Sequence, residues 1–428
     1  MRAHHLLLVI LVGALTGAVA VLFHHYLEFA QHQLLGRTLA QPEPWRTIFI
    51  IATPTITFTL LALLVRRFAP GTIGANLARV RMAYNEDPSL LGPRTTAGTF
   101  AAMPISLGAG APLGPEGPIV VVSSGIAVFV ARLLRLPREI VRNMIPIGTA
   151  AGIAAIFNTP LAGVAFALEE IIGRVKRGLL GAMLIGAVAA AVVERMLLDS
   201  EPLLAAPYAT WTDARELLGF AVLGIAAGVS SGLAISVAHR LGRRWTAVMP
   251  SLVTRAASAG LLIGAAGLIA PQILGVGYES VTQWLHGAGS ASGTGLIFAI
   301  KLIAFTIAVS AGVLGGVFAP SLFIGASLGA AIGHGMHDLV PSVDPKAYAI
   351  VGMGTFFAGL MRSPIAGVLI AVELTHDYEL ILPLMLGVSL AVAISRRISH
   401  HSLVERQMID EGWREEEEEK PRDEFELV

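Results

Sequence analysis

The stretch Gly108 to Pro118, GAGAPLGPEGP, sets one carboxylate, Glu116, among glycines and prolines. Apolar segments flank it, AGTFAAMPISL before and IVVVSSGIAVFV after. A charged side chain at mid-membrane costs roughly 2.5–3.5 kcal/mol on insertion scales. The neighbouring Gly and Pro also break any continuous spanning helix. Broken backbone at membrane depth is tolerated only where it is buried in protein or lines a cavity, and half-helix N-termini in such places point free N–H groups at anions. The stretch reads as an anion site with a titratable gate.

Composition agrees with a membrane setting. Of 428 residues, 54% are hydrophobic and only 14% charged, with mean hydropathy +0.71. Soluble chains carry about 25% charged residues. Basic and acidic residues balance at 30 each, so no nucleic-acid footprint is expected. The acids are concentrated in the tail EGWREEEEEKPRDEFELV, which leaves the membrane part net basic. With no cysteine, disulfides and thiolate metal sites are excluded. The pairs His4-His5, His24-His25 and His400-His401 are adjacent, so their rings diverge on a helix and chelate poorly. Neither a metal nor a cofactor is expected. Walker A and HExxH motifs are absent and Glu116 has no nucleophile or metal partner at a sensible spacing, so the chain does not read as an ATP-driven pump or an enzyme.

Apolar segments of spanning length fall at 6–23, 47–65, 178–197, 217–238, 252–270, 292–312 and 381–396. The first reads as a transmembrane helix rather than a removed leader. Shorter pieces punctuated by Gly and Pro lie at 97–107, 118–132, 145–157, 160–172, 318–334, 347–360 and 364–375. These are too short to cross about 30 Å as straight helices. An all-α polytopic membrane protein with many tilted and re-entrant helices follows. Basic clusters at Arg66-Arg67, Arg132 to Arg142, Arg174 to Arg177, Arg240 to Arg244 and Arg396-Arg397 mark cytoplasmic connections, and both termini go with them.

The chain repeats itself. NTPLAGVAFALEE from Asn158 resembles RSPIAGVLIAVEL from Arg362, with Pro160 and Pro364 separated by 204 positions. PIGTAAGIAAIF matches IVGMGTFFAGLM at the same offset, and GPEGP at 114–118 faces GVFAP at 316–320 at an offset of 202. Two halves, 1–200 and 201–408, followed by an acidic cytoplasmic tail, 409–428, are expected. Halves with broken helices in matching places are the mark of a transporter whose site lies at the repeat interface.

These residues resemble the CLC family of chloride channels and chloride/proton antiporters, in a form without a C-terminal regulatory domain. GPEGP is similar to the family's GREGP element and GGVFAP at 315–320 to its GxFxP element. FNTPLAGVAFALEE at 157–170 and RSPIAGVLIAVELTHDYELILPLML at 362–386 match two further family segments, so the resemblance spans nearly the whole membrane part. It implies two inverted-topology halves, a homodimer in membrane lipid with one pore per subunit, and an inner-membrane address. By the same resemblance Glu116 is the gating and proton-carrying glutamate and Glu170 the internal proton glutamate. The backbones at Gly316, Val317 and Phe318 would face the anion.

Three departures bear on the anion. The family's serine element is missing; spacing from Ala69-Pro70 puts Gly74, Ala75 and Asn76 there, with Ala75 opposite the serine and Thr72 as a substitute hydroxyl. The inner tyrosine has no counterpart, and aligning LVER at 403–406 brings His400 near its position. Pro115 replaces the arginine of GREGP, removing a positive charge beside Glu116. The expected activity is chloride/proton antiport, because Glu170 is present. Fluoride/proton antiport and a passive voltage-gated-type chloride channel are the alternatives. A structural alternative for Glu170 is an i,i+4 ion pair with Arg174.

Overall fold

The structure, a computed structural model, describes residues 3–74, 76–173, 177–198, 204, 206–211 and 215–413. Helix α1 (Ala3–Gln31) continues through one π turn (His32–Gly36) toward α2 (Trp45–Phe68). The first half then holds α3 (Leu77–Asn85), α4 (Pro93–Gly108), α5 (Glu116–Leu133) and α6 (Arg138–Phe157). It ends with α7 (Pro160–Phe166), which runs into the π turn Ala167–Ile172, and α8 (Arg177–Leu197). The second half follows the same order. It comprises α9 (Glu216–Val248), α10 (Leu252–Ile269), α11 (Tyr278–Leu285), α12 (Ala291–Ala311), α13 (Phe318–Leu339), α14 (Pro345–Met361), α15 (Pro364–Thr375) and α16 (Ile381–Ile398). A short amphipathic helix, α17 (Leu403–Asp410), closes the described chain.

Nine helices among the described residues are long and apolar enough to cross a membrane. They sort into two layers. The spans Glu116–Leu133 and Arg138–Phe157 are 72% and 78% buried inside the protein, against 33% for Trp45–Phe68 and Leu252–Ile269. The inner layer surrounds the site; the outer one faces outward, leaving Leu60, Leu218, Leu261 and Leu296 more than half exposed. Two pieces that read as too short in the sequence, 118–132 and 145–157, are full-length spans. Pro118 lies in a first turn, where a missing N–H costs nothing, and Pro146 is carried inside α6.

The halves are inverted. Gly114 and Gly316, equivalent residues of the repeat, form an antiparallel bridge, exchanging N–H···O bonds of 2.8 and 2.7 Å. Equivalent segments can pair antiparallel only about a two-fold axis. The same axis is written at α7 and α15. Glu169 accepts from the N–H groups of Ile365 (3.0 Å) and Ala366 (2.8 Å) at the start of α15. Glu373 accepts from those of Leu161 (3.1 Å) and Ala162 (2.6 Å) at the start of α7. Each half thus caps the other's broken helix, as isologous contacts require. Both helices open on proline, so the two donors that follow lack intrahelical partners and a carboxylate suits them. Loss of a cap costs about 0.5–2 kcal/mol. Glu373→Ala is therefore expected to lower the melting temperature of the detergent-solubilised protein by a few degrees; an unchanged melt would show that water caps α7 equally well.

Small residues of α8 let it pack closely on α1, where Gly13 and Gly17 meet the backbone at Gly186 and Ala190. Ala182, Ala187 and Ala190 are buried, and α8 presents Leu184 and Val188 outward instead. At the C-terminus α17 crosses position 409 and Glu411 pairs with Arg79 at 3.4 Å, so the start of the acidic tail belongs to the folded body. Most of that tail, 414–428, lies outside the described residues, as do position 200 and Arg174.

Candidate anion and proton site

The chain between α4 and α5 is non-helical at 109–115, and α5 starts on Glu116 itself. α13 starts on Phe318, the equivalent position of the second half. The two helix N-termini meet across the Gly114–Gly316 bridge. Glycine is required there: a Cβ on Gly316 would lie 2.5 Å from the Gly117 nitrogen and 2.9 Å from the Gly114 carbonyl oxygen.

Glu116 is completely buried. Its Oε2 accepts from the Ala319 N–H (3.1 Å), in the first turn of α13, and its Oε1 accepts from the Tyr278 hydroxyl (2.6 Å). The side chain therefore occupies the place an anion takes at a helix N-terminus. Phe318 turns its ring into a cluster with Phe157 (4.8 Å between centroids), Phe357 (4.6 Å) and Phe166 (5.7 Å), leaving backbone to face the site.

Beside Glu116 is a cavity of about 20 Å³, lined among others by Asn76, Gly316, Val317, Phe318 and Gln407. That is room for about one water-sized species. Asn76, Val317 and Gln407 also line a vestibule of about 650 Å³, together with Thr72, Gly74 and Arg243. Small cavity and vestibule thus meet at shared residues. The Thr72 hydroxyl is buried with no hydrogen-bond partner among the described residues. Asn76 caps α3 by accepting from the Arg79 N–H (3.4 Å), and its amide donates to Gln407 Oε1 (3.1 Å).

The residues singled out in the sequence divide accordingly. Glu116, Asn76, Gly316, Val317 and Phe318 come together at one cavity, and Gly74 lines its vestibule. Ala75 lies outside the described residues. His400 does not join them: its side chain is exposed, and its carbonyl accepts from Arg362. Gln407, one turn into α17, lines the cavity instead, because Ser402 caps α17 and folds it back under α3.

Glu170 is buried in the π turn after α7. Its Oε1 is hydrogen-bonded by the Ser363 hydroxyl, and its Oε2 has no partner among the described residues. Phe166 and Met361, which line the cavity at Glu116, stand four residues before Glu170 and two before Ser363. An internal carboxylate with one unsatisfied oxygen is costly to keep in a purely structural role. The arrangement suits a group that binds and releases a proton.

Sequence reasoning missed Tyr278, Gln407 and Lys301. Tyr278 and Gln407 carry no local signal. Lys301 did carry one, being a lone basic residue in the apolar run 292–312.

An inverted repeat of broken helices, with a carboxylate seated where two helix N-termini meet, defines a multi-pass membrane protein built around an anion-type site. Residues 56–396 match the family model described as voltage gated chloride channel, and the chain belongs to that family, the CLC proteins. A ClcB-like protein of Ralstonia nicotianae is 30% identical over 389 residues, covering 88% of this chain and 90% of its own. The H(+)/Cl(-) exchange transporter ClcA of Salmonella paratyphi B is 29% identical over 398 residues, covering 89% and 83%. The crystal structure of a slow cyanobacterial Cl-/H+ antiporter shares the fold at a TM-score of 0.86, with 24% identity and coverage of 96% and 98%.

Proposed function

We propose that the protein exchanges chloride for protons across the membrane, with Glu116 as gate and proton carrier and Glu170 as the internal proton acceptor. The observation that carries this reading is the seat of Glu116: a carboxylate held by the Ala319 N–H of α13 is displaced by an anion or by its own protonation. One group then couples the two ions. Anion contacts come from the backbone at Gly74 and Asn76 and at Gly316, Val317 and Phe318, with Gln407 adding an amide. The naming of ClcA as an exchange transporter supports the assignment.

The experiment is efflux from liposomes holding the purified protein, loaded with chloride or fluoride, with proton movement recorded alongside. Chloride efflux accompanied by proton uptake is the expected result. Fluoride efflux with negligible chloride overturns the assignment of the anion. Flux in either salt without proton movement makes the protein a channel.

Membrane placement and assembly follow as part of the same proposal: an inner-membrane homodimer with both termini cytoplasmic. Arg66-Arg67, Arg243-Arg244 and Arg396-Arg397 at helix ends support that orientation. An exposed apolar face formed by Leu161, Leu184, Val188, Ile365, Leu382 and Met385, drawn from both halves, supports a second copy.

A further inference from the structure

We propose that Tyr278 is a latch on the Glu116 gate and that Lys301 is the positioning residue that presents it. The proposal rests on the reading of Glu116 as an anion-mimicking gate. The non-helical segment between the turn Pro271–Ile273 and α11 is largely buried, so its carbonyls need donors from the protein. Lys301 supplies them. It is fully buried on α12, and its Nζ donates to the carbonyls of Ile273 (2.8 Å) and Gly275 (2.7 Å). Gly275 (φ +69°) and Gly277 (φ +85°) take the left-handed conformation, so the chain turns twice before α11 begins on Tyr278.

The same Nζ sits 4.5 Å from the ring centroid of Phe323 on α13. Phe323 stands one helical turn beyond Ala319, whose N–H holds the other oxygen of Glu116. Lys301 thus ties the loop carrying Tyr278 to the helix carrying Ala319, and the two donors that grip the carboxylate move as one unit. Tyr278 stabilises only the state in which Glu116 fills the anion's place. An incoming anion must break that bond.

The test is chloride binding to the full-length protein by titration calorimetry, with fluoride in parallel, and melting temperature as a control for folding. Tyr278→Phe is expected to tighten binding about tenfold, as the loss of one charge-assisted hydrogen bond to the competing carboxylate implies. Lys301→Met is expected to tighten binding in the same direction. In a Tyr278→Phe background it should add nothing, and Lys301→Arg should restore the wild-type value. In Glu116→Ala, which leaves the Tyr278 hydroxyl no side-chain acceptor, the Tyr278→Phe effect disappears. An unchanged affinity in Tyr278→Phe overturns the latch. Equal effects of Lys301→Met with and without the Tyr278 hydroxyl overturn the positioning role. If the wild-type protein binds neither halide, the reading of the site as an anion site fails, and the latch falls with it.

Discussion

Glu116→Gln is expected to abolish proton movement while chloride flux continues, and to tighten chloride binding about ten- to a hundredfold. Amide and carboxylate have nearly the same shape, so the change removes the charge and the titratable proton without opening a void. The carboxylate holds two hydrogen bonds in this structure, to Ala319 N–H and to the Tyr278 hydroxyl. Bonds to a charged group contribute about 1.5–3 kcal/mol each, and 1.4 kcal/mol is tenfold in a binding constant. A neutral amide competes less well for the N–H at the head of α13, so the anion gains what the gate loses. Flux assays in liposomes and calorimetric titration together check this. Proton uptake that survives at the wild-type proton-to-chloride ratio would remove Glu116 from the proton path.

Glu170→Gln has a different expected signature. Proton flux should fall by at least about tenfold, since a side chain that cannot ionise gives no relay, while chloride efflux and its affinity remain. Stability should hold or rise. Among the described residues one carboxylate oxygen is buried without a partner, and an amide in its place is cheaper to bury while the Ser363 hydroxyl can still bond to it. The opposite pattern, a marked loss of thermal stability with unaltered coupling, would assign Glu170 to structure alone. The two variants are therefore distinguishable: only Glu116→Gln changes anion affinity.

Much of this was readable along the chain. The break at 108–118 stands out because Gly and Pro act locally, through backbone sterics and a missing N–H, and because an apolar context makes a single Glu conspicuous. The repeat at an offset of 202–204 was readable for the same reason: both halves use the same local devices to start a helix at membrane depth. Glu116 stood out from them, while Glu170 and the Gly316–Phe318 element came from the resemblance to the CLC family. His400 was misplaced because a linear alignment cannot tell how α17 folds back under α3. The short reading of 118–132 and 145–157 failed because a proline in a first turn, or one accommodated inside a packed helix, does not end a span.

Composition, helix breaks and internal repetition each depend on a few neighbouring residues, and these were enough for the fold class and for singling out Glu116 at the break. Partners across the chain depend on how the inverted halves dock, and only the tertiary structure decided them. Tyr278 reaches Glu116 over 162 positions of sequence, and Asn76 meets Gln407 over 331. Glu169 and Glu373 look like ordinary helix-end acids until an antiparallel arrangement sets each against the other half's free N–H groups. Lys301 is an anomaly in its own helix and becomes intelligible only beside the carbonyls it satisfies. The reason is physical: a buried polar group must find its complement, and for Glu116, Asn76, Glu169 and Glu373 that complement lies in the other half of a chain folded about a two-fold axis.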